Sequence, residues 1–304
     1  MYIQITDKAI LQKNIPHFLQ KHPESFVFDN SNRLIEIYLY YDFLVKLPKS
    51  LSYPFKYLKN IEISSIFNDY YFNILPDGFC YDCPNLETVR LCNNGLTVLP
   101  DNFLKKCPNL KNIYLTNNKL TKLPNGFLEK YNHLENIYIG YNNLRKLTDN
   151  FLQNCPNITK INLTNNKLIS LPHTFCKNYP RLKYIDLEYN YLNQLHSTFT
   201  KDCPNLEYVN LKKNSLTSLN NLFNIGYPNL YLINLSNNHL KQLPDGFAQK
   251  CPNLLFINLE KNHLKKIPDK FTDKSYKIID INLIGNFIDY NNIPNNVISK
   301  CTLF

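Results

Sequence analysis

Cysteines are the residues of this chain best suited to metal or redox chemistry, and their spacing limits what they can do. Cys80 and Cys83 have the Cys-x-x-Cys spacing of such sites, but no second pair and no paired histidines accompany them. A zinc site needs three or four protein ligands, and no set completes one here. The seven glycines form no phosphate-cradling loop. The sequence therefore predicts no catalytic, cofactor or metal site.

Five of the nine cysteines recur with one period, at separations of 24, 48, 48 and 48 residues. Tyrosines occupy the equivalent position in between, which indicates packing, because free cysteine behaves as a small buried hydrophobe. Equivalent residues two turns of a stacked repeat apart lie about 10 Å from each other, beyond the disulfide limit of roughly 7 Å. Cysteines used for packing and not for disulfides fit a reducing compartment. The recurring residues are Cys83, Cys107, Cys155, Cys203 and Cys251, alternating with Tyr131, Tyr179 and Tyr227.

The same period of 24 governs the apolar residues. From Leu110 the chain reads L-x-x-I-x-L-x-x-N-x-L-x-x-L-P-x-x-F, and nine successive starts keep this register. The pattern resembles the 24-residue class of leucine-rich repeats, over about residues 34 to 290. The resemblance implies an α/β-type solenoid (horseshoe), with a parallel sheet on its concave face and short irregular, 3-10 or helical segments on its convex face. The predicted coils start at residues 34, 58, 86, 110, 134, 158, 182, 206, 230, 254 and 278.

The repeat sets the predicted organisation of the chain. Eleven coils span residues 34–288, and residues 1–33 and 289–304 are expected to cap the raw ends of the core. The coil at 58–85 has 28 residues, and its extra residues lie within the aromatic segment 67–72, a second candidate contact. No run approaches the 18 apolar residues of a membrane span. The start shows no basic segment followed by an apolar one, so we expect a cytoplasmic protein.

Each coil position has a predicted direction. Apolar positions 1, 4, 6, 11, 14, 18 and 22 point inward, and the alternation around position 4 predicts a short strand. Asparagine at position 9 offers a donor and an acceptor to backbone groups left inside the turn after each strand. The resemblance implies a structural ladder formed by Asn94, Asn118, Asn142, Asn166, Asn190, Asn214, Asn238, Asn262 and Asn286.

The remaining strand positions, 2, 3, 5, 7 and 8, point outward. The resemblance implies that this concave face is the binding surface, and exposed tyrosines are typical interface anchors. A row of amides from Asn210 to Asn282 borders them. The alternative is that Tyr and Asn are simply common here and suited to sheets. The predicted partner-binding residues are Tyr114, Tyr138, Tyr141, Tyr184, Tyr189, Tyr208, Leu232 and Phe256.

The size of the predicted face favours a protein as partner. Eleven strands about 4.8 Å apart and roughly 17 Å wide give about 800 Å², one side of a standard protein interface. An open sheet supplies no pocket for a small molecule by default. The sequence therefore predicts a non-catalytic scaffold for an unidentified protein partner, in an oligomeric state that it leaves open.

Two other functions compete with this prediction. An adaptor would recruit a ubiquitin-ligase-type machine through residues 1–33, although that segment is short and lacks a recruiting pattern. A lysine stripe would bind nucleic acid, as a net charge of +10 allows, but the chain has only four arginines, which disfavours it. The lysines concerned are Lys119, Lys122, Lys146, Lys167, Lys241, Lys265 and Lys266.

Overall fold

The computed structural model of the protein describes residues 6–16, 20, 23–41, 47, 49–65, 73–220, 222–224, 226–268, 271, 275–289, 291, 293–295 and 297–303. The chain divides into two compact units. The first comprises Met1–Leu144 with Asn150–Cys155, and the second comprises Arg145–Asp149 with Pro156–Phe304. The aromatic segment 67–72, a candidate contact, lies outside the described residues.

The N-terminal segment packs against the first predicted coil. Helix α1 (Asp7–Asn14) begins after Thr6, whose side chain accepts a hydrogen bond from the Ala9 N–H at 3.3 Å. Leu11 is fully buried, and the Asp7 carboxylate accepts the Leu34 N–H at 2.9 Å. These contacts tie the helix to the start of the repeat. Among the described residues, no helix is long and apolar enough to cross a membrane.

In its described residues the first unit carries six strands in chain order. Strand β1 pairs with β2 in antiparallel orientation, and each later neighbour is parallel. Strands β2 to β6 begin at, or two residues after, the coil starts at 34, 58, 86, 110 and 134. They are β1 (Phe26–Phe28), β2 (Leu34–Tyr41), β3 (Asn60–Ser65), β4 (Thr88–Arg90), β5 (Asn112–Tyr114) and β6 (Asn136–Tyr138).

The described part of the second unit carries seven strands, again parallel and in chain order. Six of them begin two residues after a predicted coil start, and the last follows the repeat. They are β7 (Lys160–Asn162), β8 (Tyr184–Asp186), β9 (Tyr208–Asn210), β10 (Leu232–Asn234), β11 (Phe256–Asn258), β12 (Asp280–Asn282) and β13 (Cys301–Thr302).

The core of each unit lies behind its strands. In β5, Ile113 is fully buried while Asn112 and Tyr114 on either side are half-buried, as a period-two strand requires. The return segments are turns and bends whose buried phenylalanines face one another at position 18, as with Phe103 and Phe127, 6.3 Å between ring centroids. The predicted leucine-rich-repeat solenoid with a parallel sheet is confirmed, and the described residues contain little helix.

Asparagine side chains at position 9 fill the turn after each of strands β4 to β12. Asn118 donates to the carbonyls of Leu91 and Leu115 at 2.7 and 3.0 Å and accepts the Leu96 N–H at 3.0 Å. Asn214 and Asn238 repeat this arrangement in the second unit. Eight of the nine are buried and Asn286 is half-buried. Each of these side chains therefore joins its own coil to the coil before it.

Position 22 has a hydrogen-bonding role that sequence reasoning did not predict. The Cys155 thiol donates to the Leu128 carbonyl at 3.1 Å, and the Tyr131 hydroxyl donates to the Leu104 carbonyl of the coil before it. Ser275 makes the same bond to Ala248 at 2.8 Å. Cysteine, tyrosine and serine share an X–H donor, which explains why they alternate at one buried position. All nine cysteines are unpaired thiols.

Candidate binding surface

The outward sheet face consists of the side chains at coil positions 2, 3, 5, 7 and 8. Successive coils are in register, so equivalent positions pair across neighbouring strands, as Tyr114 pairs with Tyr138. Parallel strands lie about 4.8 Å apart, which is also a favourable stacking distance for aromatic rings. Two equivalent tyrosines in adjacent coils are therefore brought face to face by the backbone alone.

In the first unit, the Tyr114–Tyr138 stack at position 5 is such a pair. The ring centroids are 4.9 Å apart and the ring planes differ by 6°. Burial raises the pKa of Tyr138. Its hydroxyl therefore remains protonated and able to donate at neutral pH.

An arginine of the same chain covers this stack. The guanidinium carbon of Arg90 lies 3.9 Å from the centroid of the Tyr114 ring, within the range of a cation–π contact. Its Nε atom is 3.8 Å from Oε2 of Glu62 on strand β3. The column at position 5 thus runs carboxylate, guanidinium, tyrosine, tyrosine. Sequence reasoning did not predict this contact, although its signal was the 24-residue step from Arg90 to Tyr114.

The second unit contains the Tyr184–Tyr208 stack at position 3. Its ring centroids are 4.3 Å apart and the planes differ by 4°. Tyr231, at position 2, extends the group at 6.3 Å from Tyr208. Leu232 pairs in register with Tyr208, and Phe256 with Leu232, so the aromatic group continues into an apolar strip.

Tyr231 was not among the predicted residues, although it is 39% exposed. Ile279, also at position 2, is 62% exposed and was missed as well. The signal was the position 2 column, which changes from charged residues to Tyr231, Leu255 and Ile279 along the second unit. The predicted partner-binding residues all lie at positions 3, 5 and 8. Position 2 therefore adds apolar surface to the outward sheet face.

A carboxylate lies beside the second stack. The Tyr184 hydroxyl donates to Oδ2 of Asp186 at 3.1 Å, and the Glu188 N–H donates to Oδ1 at 3.0 Å. Burial, and next the negative charge of Asp186, raise the pKa of both Tyr184 and Tyr208. Both causes disfavour a phenolate, so these hydroxyls are neutral donors.

Glu188, two residues along the same coil, is already ion-paired. Nζ of Lys212 lies 3.0 Å from its Oε1 atom, and Nδ2 of Asn210 donates to Oε2 at 3.0 Å. The hydrogen bond and charge of Glu188 raise the pKa of Lys212. The two carboxylates thus differ: Glu188 has a lysine partner, whereas Asp186 accepts only from neutral donors.

The amides at position 5 end their strands. Oδ1 of Asn210 accepts the Lys212 N–H at 3.1 Å, and Asn234, Asn258 and Asn282 accept the equivalent N–H at 3.0 to 3.1 Å. Such bonds between a side chain and the backbone two residues ahead stabilise turns. The row of amides therefore has a structural use that sequence reasoning did not predict.

Tyr141 and Tyr189 lie at position 8, in the turn that follows each strand. Their φ angles are 55° and 54°, in the left-handed region. Equivalent coils carry asparagine there, as at Asn117 and Asn165, which tolerates this conformation better than tyrosine. The two tyrosines are 54% and 43% exposed, and Nζ of Lys213 lies 4.1 Å from the Tyr189 ring centroid. They therefore form part of the outward sheet face of their own units.

The flank of the second unit carries a further ring stack, at position 10. His239 and His263 have ring centroids 5.4 Å apart, and Phe287 follows His263 at 5.9 Å. Sequence reasoning did not predict this stack. Within the described ranges, no group of three or more His, Cys, Asp or Glu side chains is placed to hold a metal ion.

Comparison with known proteins agrees with this geometry. The family model described as leucine rich repeat matches residues 84–144, 180–224 and 228–275, about half of the chain. The chain belongs to the leucine-rich-repeat family. The matched ranges of this leucine-rich-repeat protein include both tyrosine stacks. No curated protein matches its sequence.

Solved structures share the fold. A chain in the Drosophila Toll–Spatzle complex is 25% identical, with a TM-score of 0.63, covering 80% of this protein and 32% of that chain. A chain in the octameric complex of Latrophilin 3, Unc5D and FLRT2 is 14% identical, with a TM-score of 0.66, and covers 92% and 91%. A chain in the TLR13–ssRNA13 complex is 20% identical, with a TM-score of 0.64, and covers 84% and 37%. The protein therefore spans about a third of the matched Toll-complex chain.

Proposed function

We propose that this protein is a non-catalytic scaffold that recognises a protein partner through the outward sheet face. The observation that carries the proposal is the pair of in-register tyrosine stacks, one in each unit, on strands that a buried core holds in place. Tyrosine buries much area for little loss of side-chain entropy, which suits an interface anchor. In the second unit the exposed side chains of Tyr231, Phe256 and Ile279 add apolar area.

The charge of the face supports a protein over a nucleic acid. The whole chain has a formal net charge of +10, yet the outward positions of the second unit carry equal numbers of each sign. These are five lysines and five carboxylates: Lys160, Lys183, Lys212, Lys213, Lys261, Asp186, Glu188, Glu207, Glu260 and Asp280. A phosphate backbone would meet no excess positive charge there.

The left-handed backbone conformation of two surface tyrosines supports a binding role for this face independently of the stacks. Tyr141 and Tyr189 occupy a conformation that asparagine adopts at lower energy in neighbouring coils. Asparagine would serve the fold at least as well at these two positions, so the tyrosine rings favour a role at the surface. The matched chain of the Toll–Spatzle complex, at 25% identity, comes from an assembly with a protein ligand, which agrees with a protein partner here.

The competing functions have less support. The contacts of Leu11 and Asp7 with the repeat suit a cap better than a free recruiting module at residues 1–33. The seven lysines of the predicted stripe are exposed, on loops that follow the strands, so they remain a second binding candidate. The nine unpaired thiols suit the proposed cytoplasmic location.

Partner capture from the native cell, followed by cross-linking and mass spectrometry, tests the proposal. We expect the wild-type protein to cross-link a partner at the outward sheet face. Variant Tyr138→Ala/Tyr184→Ala/Tyr208→Ala should lose it, and so should Ile279→Glu, which alters an exposed side chain and leaves both stacks in place. The matched control Lys241→Gln/Lys265→Gln/Lys266→Gln should retain it.

The opposite pattern would refute the proposal. Equal recovery of every partner by the wild type and both face variants would remove the outward sheet face as the site. Loss with the lysine variant alone, sensitive to nuclease and to salt, would establish the nucleic-acid alternative. Thermal unfolding of each variant distinguishes a lost surface from a lost fold.

A further inference from the structure

We propose that the Tyr184–Tyr208 stack and Asp186 bind the guanidinium group of an arginine presented by the protein partner. This proposal rests on the proposed function and deepens it, because it names the chemistry of one partner residue. Three observations carry it: a buried carboxylate without a cation, a buried hydroxyl without a partner, and an arginine that completes the equivalent stack in the other unit.

The first observation concerns Asp186, which is only 7% exposed. The Tyr184 hydroxyl and the Glu188 N–H each donate to it. Both donors are neutral, and the described residues place no Lys, Arg or His nitrogen within 4.0 Å of this carboxylate. A buried charge is costly unless an opposite charge accompanies it. The carboxylate is therefore placed to receive a cation from another molecule.

The second observation concerns Thr164, at position 7 after strand β7. It is 8% exposed, and its Oγ1 atom has no hydrogen-bond partner among the described residues. The Asn165 N–H donates to the Glu188 carbonyl at 2.8 Å, which places Thr164 on the coil adjacent to Asp186. Buried hydroxyls are nearly always hydrogen-bonded. Of the four buried oxygen atoms without a partner among the described residues, this one lies on the coil next to Asp186, so we assign it to the same site.

The third observation is the stack in the first unit, which shows what completes such a group. There Arg90 lies over Tyr114 at 3.9 Å and pairs with Glu62 at 3.8 Å. The second unit has the carboxylate and the two rings, but neither of its arginines, Arg145 and Arg181, contacts them within the described residues. Lys160 pairs in register with Tyr184, yet it is exposed and makes no cation–ring contact within the described part of the unit. Lys212 is held by Glu188.

Arginine fits this group better than lysine. A planar guanidinium stacks on a ring while its edge N–H groups donate to a carboxylate and a hydroxyl at the same time. Lysine is a compact and strongly hydrated charge that gains less from a ring face. The combination of ring, carboxylate and orphan hydroxyl thus selects a flat cation with several donors.

The test uses the whole protein with ¹³C-labelled tyrosine, observed by NMR. The probes are the peptides acetyl-Gly-Arg-Gly-amide, its lysine analogue and its citrulline analogue, which keeps the arginine shape without the charge. We expect the arginine peptide to shift the Tyr184 and Tyr208 signals saturably, at least tenfold more tightly than either analogue. Asp186→Asn should weaken this binding at least tenfold, a loss consistent with one charge-assisted hydrogen bond.

Two variants keep the test decisive. Glu260→Gln, the matched control, removes a carboxylate at position 7 of the same face that pairs with Lys261, and it should bind like the wild type. Thr164→Val removes the orphan hydroxyl, so it should fold at least as well as the wild type and bind the arginine peptide less tightly. It replaces Asp186→Asn if that variant does not fold.

Several outcomes would overturn the proposal. The first is that the citrulline or the lysine peptide binds as tightly as the arginine peptide. The second is that the arginine peptide shifts only the signals of other tyrosines. The third is that Asp186→Asn or Thr164→Val binds the arginine peptide as tightly as the wild type does. If the partner is still captured by Asp186→Asn but lost by Ile279→Glu, the arginine proposal fails while the proposed function stands. If neither variant affects capture, both fail.

Discussion

In the first unit Tyr114 and Tyr138 stack at 4.9 Å beneath the chain's own arginine, whereas in the second unit Tyr184 and Tyr208 stack at 4.3 Å beside a carboxylate. The ring geometry is nearly the same, because both pairs occupy equivalent positions of adjacent coils. The charges around them differ. In the first unit Glu62 faces a cation within the protein, and in the second Asp186 faces neutral donors.

This difference shows how a repeat protein separates scaffold from specificity. Register and strand spacing determine that two tyrosines stack, and they do so in any pair of adjacent coils. The neighbouring coil then decides whether the stack is complete. Arg90 completes the first stack, while Asn162, the residue paired with Asp186, supplies an amide and no charge. Four changes would break or sharpen this comparison.

The largest effect is expected from the scaffold that both stacks share. Asn118→Ala and Asn214→Ala each leave several buried backbone groups unpaired, which should reduce the free energy of unfolding by about 3 kcal/mol in either unit. Chemical denaturation measures this loss. The matched control Asn109→Ala removes an exposed amide that donates to Pro84 at 2.9 Å, and it should cost less than about 1 kcal/mol. A large loss in one unit only would show that the two scaffolds are not equivalent.

A second change supplies the missing cation. Lys160→Arg places a guanidinium on the coil adjacent to Tyr184, as Arg90 is adjacent to Tyr114, and should raise the free energy of unfolding by about 1 kcal/mol. It should also abolish binding of the arginine peptide, because the site is then occupied from within the chain. Lys160→Gln, the control, should affect stability little. Unchanged stability and unchanged peptide binding in the arginine variant would contradict the comparison.

A third change concerns the strained tyrosines that border the two stacks. Tyr141→Asn and Tyr189→Asn replace tyrosine by the residue that adjacent coils use at the same left-handed position, which should stabilise the fold by about 0.5–1 kcal/mol. The gain should be smaller at Tyr189, which also contacts Lys213. Thermal and chemical unfolding measure both. A loss of stability in either variant would mean that its ring contributes more to the fold than its conformation costs.

The smallest change is electrostatic. Tyrosine ordinarily ionises near pH 10, and burial followed by the charge of Asp186 raises the pKa of Tyr184 and Tyr208. A raised folded-state pKa stabilises the protein below the unfolded value, and this stabilisation is lost as the pH rises from about 10 toward the folded value. Asp186→Asn should lower both pKa values without restoring them fully, since burial is the larger cause.

The first stack provides the reference for that titration. Burial, and next its neighbour Tyr114, raise the pKa of Tyr138. Asp186 contributes nothing to this shift, so Asp186→Asn should leave the pKa of Tyr138 unchanged. Tyrosine ¹³C shifts followed from pH 8 upward measure each group in one experiment. Equal changes at Tyr138 and Tyr208 would indicate a general loosening of the fold and not the removal of one charge.

Much of the binding surface was predictable because the repeat converts sequence separation into distance. Tyr114 and Tyr138, and Tyr184 and Tyr208, are each 24 residues apart, and the period alone makes them neighbours. The sequence predicted which side chains point outward and which coils are adjacent, but not the contacts between those side chains. It did not identify Tyr231 as part of the second group, nor Arg90 as a cover for the first, because those contacts depend on where long side chains turn after leaving the sheet.

By itself, the sequence determined the fold class, the strand positions, the inward and outward directions, and the places where tyrosines meet. These properties follow from a period that repeats every 24 residues, and local pattern is enough to specify them. Tertiary structure alone decided that Asp186 is buried without a cation, that the Thr164 hydroxyl is unpaired, and that position 22 donates a hydrogen bond. Burial and hydrogen-bond satisfaction depend on all the groups around an atom, and the pattern of one coil does not contain them.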